Sequence, residues 1–583
     1  MFVPTDRQKS LLECQFLLPP EKLTRLMKSW AAPFRERVLP LIDEEAFRDA
    51  FSSTTGRPNK SIRLLVALHL LKEWNDLTDE QVIDHLEYNL QWHYALGIES
   101  GPAHICQKTL HNFRVLLNTN KRAQQVFTDV TIGLSKMDGV GLQRQRLDST
   151  HVLSNIAVLT RLALFVETVA HFLKDLRKEA PASYESLAPG YGHRYLDREG
   201  YFSDAKREQA RRRLPVVAQD VYELMVAFKD DDLVSSLPAF ELLKRLFEEQ
   251  CEIIDDADGG DGDGSTTDAG AGDAGQGRTR VKPRDPKSIP SSSLQSPHDP
   301  DVTYGHKGKG YEVQVSETCG EENPYQLITG VAVNGANESD QNAVLPMLEQ
   351  LDESGMLPKE MLADTGYGSG ANIVESAELG VDLVAPVPDP NAPSPADHFV
   401  ASVSDEPPAK APSSAQRTEP TKPPVDASTP LGLEWFSFDE TCNLVFSCPM
   451  GKPADDQRVT GAMVIAVFSA MTCAGCPLAA QCPTRLLSNG DRQLRRARTT
   501  IATEVRQAEQ QSSSFKDGYK IRSGIESTNQ ELKGRHGLDD LRVRGKPRVA
   551  LASLLKSLAV NVKRAAQWHV RQMANSTPCA CAA

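Results

Sequence analysis

Apolar residues recur with helical spacing over residues 61–118 and predict three helices. The segment "SIRLLVALHLLKEW" at 61–74 follows a helical period, and "LTDEQVIDHLEYNLQWHYALGI" at 77–98 begins with Thr78 and Gln81 at the spacing of a capping box. A short basic segment, "CQKTLHNFRVLL" at 106–117, predicts a third helix. Both a helix-turn-helix module and a plain helical bundle fit this pattern.

From residue 142 onward, short β-rich segments alternate with helical ones. The segment "LQRQRLDSTHVLSN" at 142–155 predicts a short strand ending at Asp148, and a long helical region follows over 155–250. A further helix is predicted over 339–355. More strands are predicted in "GYEVQVSET" at 310–318, "PYQLITGVAVNG" at 324–335, a segment ending at Asp364, and "VDLVAPV" at 381–387. This alternation indicates an α/β fold.

Two segments of biased composition divide the chain. Residues 254–280 are rich in Gly and Asp, and residues 386–430 are rich in Pro, Ala, Ser and Asp, so both are predicted to be linkers and the second to be disordered. The predicted domains are a helical DNA-binding domain (1–135), the first part of the α/β core (142–385), a small Cys-rich module (435–485) and the C-terminal helices of the core (490–575).

Charge is distributed unevenly along the chain, and this changes the class of partner to expect. The net charge of the 583 residues is −13, which by itself argues against a nucleic-acid partner. However, residues 255–273 carry seven aspartates and no base, whereas 516–564 carry twelve Lys and Arg against five Asp and Glu. Because local patches bind phosphates, the C-terminal region is predicted to contact DNA.

The longest apolar stretch does not read as a membrane span. "NIAVLTRLALFVETVAHFL" at 155–173 contains Arg161 and Glu167, which favours a buried helix. The N-terminal residues lack the layout of a signal peptide, and eleven cysteines are too few for a disulfide scaffold in a chain of this length. We therefore expect a cytoplasmic protein, nucleoid-associated when bound to DNA, with no membrane partner.

The segment "YKIRSGIESTNQELKGRHGL" at 519–538 combines cations, a tyrosine and a carboxylate with few apolar residues. If it forms one helix, each residue advances by about 100°, so Arg522, Glu526 and Lys533 fall at roughly 300–340° from Tyr519 and share one stripe with it. A narrow apolar edge is formed by Ile521, Ile525 and Leu532. A salt-bridged surface helix without a site would carry similar charges.

Three carboxylates have settings that allow them to converge. Asp148 and Asp364 are predicted at strand ends, which meet at one edge of an α/β sheet, and Glu526 lies on a helix that can pack over that sheet. Carboxylates held together need a cation, and hard oxygen ligands suit Mg²⁺ or Mn²⁺. Two such ions about 3.5–4 Å apart can activate an attacking oxygen and stabilise a leaving one in phosphodiester cleavage. One Asp at a strand end is common in turns, so the prediction needs all three acids.

Together these motifs resemble a known family. "LDST" with Asp148, "ADTGYGS" with Asp364, and the spacing Y-x2-R-x3-E-x6-K from Tyr519 to Lys533 are similar to the DDE transposases of bacterial insertion sequences. The resemblance extends from about 45 to 575, where the N-terminal helices and the Cys-containing insertion resemble one subgroup. It implies a ribonuclease H-like core, a mixed sheet flanked by helices, with the third acid on a helix after the sheet.

The resemblance also implies a role for each matching residue. The three acids would hold two Mg²⁺ or Mn²⁺ ions, and contacts to the DNA end would come from Tyr519, Arg522 and Lys533. Hydrolysis would expose a 3′-hydroxyl, which would then attack the target DNA in the same site. The implied partners are transposon ends and target DNA, bound by a homodimer on paired ends.

A second constellation consists of cysteines. "CPMGK" and "CAGCPLAAQCP" place Cys448, Cys473, Cys476 and Cys482 at spacings that suit tetrahedral Zn²⁺ in a small module with little core of its own. An iron–sulfur cluster and free cysteines are also compatible with this spacing, and Cys442 is a possible substitute ligand. The cluster would be structural or DNA-contacting, with no part in catalysis.

Three functions fit these observations. The first is a DDE transposase that cleaves and joins DNA. The second is a non-catalytic DNA-binding protein in which the carboxylates are solvated surface. The third is a related nuclease that cuts strands without joining them. Strand-transfer products separate the first from the third, and DNA cleavage separates both from the second.

Overall fold

The computed structural model describes residues 1–5, 13, 16, 18–98, 105–197, 207–254, 279–388 and 430–576. All but the ends of the predicted Asp-rich linker at 254–280 and of the predicted Pro-rich linker at 386–430 lie outside the described residues.

The N-terminal region is helical, as its apolar spacing predicts. Thr78 and Gln81 form the predicted capping box, but the segment 77–98 divides at Asn89. The Asn89 side chain accepts hydrogen bonds from the backbone amides of Gln91 and Trp92 and so starts a new helix. The helices are α1 (Pro20–Met27), α2 (Ala31–Pro33), α3 (Ile62–Trp74), α4 (Asp79–Tyr88), α5 (Leu90–Leu96), α6 (Gln107–Leu117) and α7 (Arg122–Asp138), with π and 3-10 turns over Phe34–Val38, Leu39–Leu41 and Glu45–Ala50.

A mixed six-stranded sheet forms the centre of the protein. Its strands are β1 (Arg144–Val152), β4 (Thr303–Gly305), β5 (Gly308–Thr318), β6 (Ile328–Gly335), β7 (Glu360–Leu362) and β8 (Asp382–Val384). They lie in the order β6-β5-β1-β7-β8, with β4 paired to the start of β5. β5 is antiparallel to β1 and β6, whereas β7 is parallel to β1 and β8 to β7. This α/β topology is compatible with the expected ribonuclease H-like core.

The first strand is longer than predicted. It was expected to end at Asp148, but it continues to Val152, because β5 pairs with it along its whole length from Gln145 to Val152. Asp148 therefore lies inside the strand, opposite Val315. The strand that precedes Asp364 ends two residues before it, at Leu362.

A helical insertion follows β1, as predicted for residues 155–250, and has a hydrophobic core of its own. The helix predicted to be buried in the segment 155–173 contributes Phe165 and Phe172 to this core. Within the described residues, no helix is long and apolar enough to cross a membrane. The insertion contains α8 (Arg161–Glu179), α9 (Pro181–Glu185), α10 (Gly190–Tyr195), α11 (Arg207–Phe228), α12 (Asp232–Ser235), α13 (Pro238–Gln250), β2 (Cys251–Ile254) and β3 (Arg280–Pro283), followed by a 3-10 turn over Pro286–Ser288.

Helices flank the sheet, and a second, smaller sheet follows it. The helix predicted over 339–355 begins as a 3-10 turn at Asp340–Ala343 and continues as α14 (Val344–Glu353), with α15 (Gly370–Glu378) after β7. In the Cys-rich region, a 3-10 turn (Leu433–Trp435) and the strand pair β9 (Ser437–Phe438) and β10 (Val445–Ser447) precede a four-stranded antiparallel sheet of β11 (Asp456–Thr460), β12 (Met463–Phe468), β13 (Arg485–Leu486) and β14 (Arg492–Ala497).

The segment 519–538 is not the single helix assumed in the sequence analysis, and that prediction is wrong. Between Tyr519 and Ile525 the chain forms a 3-10 turn. Two poor helix formers interrupt the segment here, since Gly518 lies just before the turn and Gly524 is its last residue. The C-terminal helices are therefore α16 (Arg498–Glu509), α17 (Ser513–Tyr519), the 3-10 turn Lys520–Gly524, α18 (Ile525–His536) and α19 (Lys546–Ser576).

Candidate active site

Two of the predicted acids lie side by side on neighbouring strands. β1 and β7 are parallel, and Arg146 pairs with Leu362. Asp148 lies two residues beyond Arg146, and Asp364 two residues beyond Leu362, so the acids reach the same level along adjacent chains. Since successive side chains alternate between the two faces of a sheet, Asp148 lies on the same face as Arg146, and Asp364 on the same face as Leu362.

One guanidinium group contacts all three predicted acids. Arg522 Nη2 lies 2.8 Å from Asp148 Oδ1 and 3.4 Å from Asp364 Oδ2. Its Nη1 lies 3.6 Å from Glu526 Oε1. Arg522 is on the 3-10 turn and Glu526 is the second residue of α18, so the turn and the helix together bring cation and carboxylate to the sheet.

Burial differs between the three carboxylates. The side chain of Asp148 is only 13% exposed, whereas those of Asp364 and Glu526 are 39% and 68% exposed. Burial raises the pKa of the Asp148 carboxyl, the Arg522 guanidinium opposes this, and the Asp364 carboxylate adds to the increase. Asn529 also donates a hydrogen bond from Nδ2 to Asp148 Oδ2, at 3.1 Å. The cluster thus runs from a buried acid to an open one.

The turn that carries Arg522 is held by a second, buried arginine. Arg146 donates from Nη1 to the backbone oxygen of Ile521 at 2.7 Å, and its Nη2 lies 2.6 Å from Glu317 Oε2. Glu317 is fully buried. The Arg146 guanidinium lies directly against Gly524, where a Cβ would be 2.1 Å from Nη1. Arg146 is therefore a positioning residue for the turn and for Arg522.

This packing leads to a first prediction. We expect Gly524→Ala to destabilise the protein by about 1–3 kcal/mol, because the new methyl group would displace a buried guanidinium from two partners. The turn that carries Arg522 must then move as well. The midpoint of urea-induced unfolding measures the destabilisation.

Gly534→Ala is the matched control. Gly534 also lies in α18, is exposed, and has no heavy atom within 4 Å of its would-be Cβ. There, alanine should stabilise the helix by about 0.5–1 kcal/mol. Because Gly524 has an ordinary helical φ of −62°, equal stabilisation at both positions would show that the contact with Arg146 has no energetic weight.

Tyr519 lies beside the acids and contacts the backbone that precedes one of them. Its hydroxyl donates to the carbonyl oxygen of Ala363 at 3.0 Å, and its ring stacks on Phe515. Burial raises the pKa of the hydroxyl to about 12. Its half-buried ring supports the chain next to Asp364.

Lys533 lies farther along the helix and has a different partner. Its Nζ is 3.0 Å from Asp539 Oδ1, in the loop after α18. The Lys533 side chain is partly exposed, and Asp539 is exposed. A surface ion pair of this kind is worth little, so it leaves Lys533 able to exchange its partner for a phosphate.

The helix that carries Glu526 is anchored on its inner side. Thr528 Oγ1 donates to Glu317 Oε1 at 2.5 Å. Glu531 pairs with Lys563 at 3.2 Å and with Arg564 at 3.1 Å, both on α19. Ile525 and Leu532, from the predicted apolar edge, are fully buried. The open position of Glu526 thus rests on a rigidly held helix.

The acid cluster combines ligands that suit a metal ion with an arrangement that does not yet enclose one. Among the residues that the structure describes, no group of three or more His, Cys, Asp or Glu side chains is arranged for one. At the acid cluster the Arg522 guanidinium lies where the carboxylates converge. The donors are nevertheless carboxylate oxygens, which Mg²⁺ and Mn²⁺ prefer, so the three residues fit such an ion by their chemistry.

Two regions of the chain match known families. Residues 447–566 match the family described as "Transposase DDE domain", and residues 23–116 match the family described as "Transposase domain (DUF772)". These matches indicate a DDE-type insertion-sequence transposase. The chain is also 28% identical over 152 residues to an uncharacterized protein, ORF8 in the nfe locus of Rhizobium meliloti, covering 25% of this chain and 73% of the relative. No solved structure matches the chain.

The two transposase matches cover only some of the residues of the candidate site. The DDE-domain match contains Arg522, Glu526 and Lys533, and it also spans the four cysteines. Asp148 and Asp364 lie between the two matched regions. Strand pairing in this structure brings them level with each other, and the shared contacts of Arg522 relate them to Glu526.

The four cysteines of the predicted zinc site lie together in the transposase DDE-domain match. Cys448, Cys473, Cys476 and Cys482 line one cavity of about 170 Å³ and are not in disulfides. Burial raises the pKa of the Cys473 thiol, Arg492 opposes this, and the other three cysteines add to the increase. Cys442 is buried elsewhere, beside Arg498, and does not line this cavity. A metal-binding arrangement is not shown here either, within the described part of the chain.

The residues that support the site are absent from the sequence-based predictions. Arg146 could have been noticed, because it lies two positions before Asp148 in a strand and therefore on the same face. Asn529 lies three residues after Glu526 and so shares its helix face. Glu317 had no such signal, because only strand pairing places it beside Arg146.

Proposed function

We propose that this protein is the transposase of a bacterial insertion sequence, which binds transposon ends and catalyses DNA cleavage and strand transfer. The observation that carries the proposal is the position of Arg522, whose guanidinium is within 3.6 Å of Asp148, Asp364 and Glu526. Acids held around a cation at one edge of a sheet suit phosphodiester chemistry, and the transposase matches indicate which chemistry to test.

Asp148, Asp364 and Glu526 would hold two Mg²⁺ or Mn²⁺ ions. When bound, these cations would make a water or a 3′-hydroxyl more nucleophilic and offset charge on the reacting phosphate. Glu526, the most exposed of the three, would let DNA approach the cluster from solvent.

The cationic residues would position the DNA. Arg522 is long enough to exchange a carboxylate for a phosphate, and its planar fork suits both groups. Lys533 would bind a phosphate in place of Asp539, and Tyr519 would pack against or hydrogen-bond the terminal DNA. Two copies of the chain would act on paired ends as a homodimer.

The four cysteines would bind a structural Zn²⁺. The support is their convergence on one cavity from segments outside the strands of the module, which a metal can hold together. Such an ion would hold the loops of the module and would take no part in strand cleavage.

The test of the proposed function is Asp364→Asn, compared with Asp382→Asn. The substrate is a plasmid that carries the gene with its native flanking DNA, incubated with Mg²⁺ or Mn²⁺. We expect the wild-type protein to cut the borders and to form joined products, and Asp364→Asn to lose at least about 100-fold in cleavage while still binding the DNA. Asp382 is 66% exposed and contacts Arg506, so its variant should cut normally.

The outcomes separate the three functions considered. Cleavage without joined products would indicate a nuclease, and binding without cleavage by the wild-type protein would indicate a DNA-binding protein. Equal cleavage by wild type and Asp364→Asn would show that this acid has no catalytic role.

A further inference from the structure

The small sheet of the Cys-rich module carries arginines on its outer face. Arg458 on β11 and Arg495 on β14 both pair with Ile465 on the strand between them, so the three side chains lie in one row. Arg485 on β13 pairs with Gln493, which is two residues from Arg495 and so on the same face. We call Arg458, Arg485 and Arg495 the arginine face.

The opposite side of this sheet forms the core of the module. Val464 and Ala466, the neighbours of Ile465 on β12, are fully buried, and so is Leu494 on β14. Since alternate residues point to opposite sides, the arginine face must point away from that core. All three arginines are exposed, whereas Ile465 between two of them is 8% exposed. Arginine stems that cover an aliphatic side chain in this way keep their charged ends in solvent.

These arginines have no carboxylate partner among the described residues. Nearby arginines behave differently, since Arg498 pairs with Glu378 at 2.7 Å and Arg506 with Glu509 at 3.1 Å. Unpaired arginines held close together repel one another, which costs free energy. Such groups are common where a protein binds an anionic partner.

Most acids of the module have other partners or line another groove, so positive charge dominates the arginine face. Asp455 accepts a hydrogen bond from the amide of Ser469 at 2.7 Å, and Asp491 from that of Ala470 at 2.8 Å. Glu434, Asp439 and Glu440 line a separate groove with Lys359. Asp456 is the acid that shares the outer face, on the edge strand.

The module is firmly tied to the catalytic sheet. β14 runs directly into α16, where Arg506 donates from Nη1 to the backbone oxygen of Leu383 on β8 at 2.7 Å. Arg498 at the start of α16 pairs with Glu378 of α15, the helix that precedes β8. The arginine face therefore holds a fixed position relative to the strands that carry the acids.

We infer that the arginine face binds the phosphate backbone of duplex DNA and is a second DNA contact outside the acid cluster. Strands are about 4.8 Å apart, so the Cα atoms of Arg458 and Arg495 are separated by about 10 Å, a span that covers a few base pairs of duplex. Guanidinium groups suit phosphate oxygens, and contacts to phosphate position a duplex without reading its sequence. This inference rests on the proposed function and adds a binding surface to it.

The test compares two double variants of the full-length protein. Arg458→Gln/Arg495→Gln removes two charges from the arginine face, and Lys174→Gln/Arg177→Gln removes two exposed charges from α8 in the helical insertion. Binding of a fluorescent 30-base-pair duplex is measured by anisotropy over a series of NaCl concentrations. Each lost phosphate contact should lower the magnitude of the slope of log affinity against log salt by about 0.9. The slope should therefore fall by about two for the first variant and stay unchanged for the control.

Two duplexes of unrelated sequence complete the experiment. Phosphate contacts predict equal weakening on both, whereas weakening on one alone, or an unchanged slope, would overturn the inference. Thermal unfolding checks that each variant is folded, and because the positions are exposed we expect no change. Plasmid cleavage is measured in parallel. If the wild-type protein cuts DNA but the salt slope of the double variant is unchanged, the result rejects DNA binding by the arginine face and leaves the proposed function intact.

Discussion

Replacing Arg522 with alanine should lower DNA cleavage by about 100- to 1000-fold, the loss typical for removal of one well-placed electrostatic group. The guanidinium is the cation shared by Asp148, Asp364 and Glu526, at 2.8, 3.4 and 3.6 Å. Without it, three carboxylates remain together with no central positive charge, and the proposed phosphate contact is lost as well.

A second readout separates this role from simple loss of structure. Because the guanidinium lies where the carboxylates converge, it competes with other cations for them, and the alanine variant should bind Mn²⁺ at least as tightly as the wild-type protein does. Titration calorimetry with Mn²⁺ measures this directly. A variant with weakened Mn²⁺ binding and a lowered unfolding midpoint would indicate that Arg522 only maintains the fold.

Arg522→Lys provides the conservative comparison. Lysine keeps the charge but presents it at one point, so it cannot contact Asp148 and Glu526 through two separate nitrogens. We expect partial activity, between that of the wild-type protein and that of the alanine variant. Full activity of Arg522→Ala would contradict the proposed site.

Replacing Lys556 with methionine should lower the free energy of unfolding by about 3–5 kcal/mol, the cost of removing one partner of a buried ion pair. Lys556 Nζ lies 2.8 Å from Glu73 Oε2 and 3.1 Å from Asp76 Oδ1, and it also donates to the backbone oxygen of His536. Lys556 and Glu73 are both buried. Among the described residues, the methionine would leave the buried Glu73 carboxylate with Lys72 as its remaining cationic partner.

The effect should depend on pH in a defined direction. Burial acts to raise the pKa of Glu73, but Lys556 and Lys72 overcome it and hold the value at about 2, below the ordinary value of 4.5. A depressed carboxyl pKa stabilises the folded state above pH 4.5, and this stabilisation is lost as the pH falls toward 2. The deficit of the methionine variant should therefore be greatest near neutral pH and should shrink in acid.

Lys546→Met is the control for the same helix. Lys546 is 46% exposed and lies 3.8 Å from Glu338, so its loss should change the free energy of unfolding by less than about 0.5 kcal/mol. The midpoint and slope of urea unfolding measure both variants. Equal destabilisation by the two substitutions would show that the buried cluster at Glu73 adds no stability.

This buried cluster also connects parts of the chain that are far apart in sequence. Glu73 belongs to α3, His536 to the end of the helix that carries Glu526, and Lys556 to α19. Helices at the two ends of the chain thus meet at one charged cluster. Loss of Lys556 should consequently affect the helix that carries Glu526 as well as the N-terminal helices.

The local elements were predictable wherever one residue pattern dominated. The helical periods at 61–74 and 106–117 and the capping box at Thr78 were confirmed, because helix signals depend on neighbours within one turn. The prediction of one helix from Tyr519 onward was wrong because its helical stripe ignored Gly518 and Gly524 and the buried Arg146 that packs against Gly524. The zinc ligands, the domain boundaries and the roles of the acids remain predictions.

From the amino-acid sequence alone one obtains the α/β character, the helical N-terminal region and the three acids worth testing, since these follow from short-range periodicity and from motif spacing. Only the tertiary structure decides that parallel pairing of β1 with β7 brings Asp148 level with Asp364, and that Arg522 rather than a neighbouring lysine lies between them. The reason is physical: strand pairing and the packing of buried charges depend on contacts between segments that no local pattern in the chain encodes.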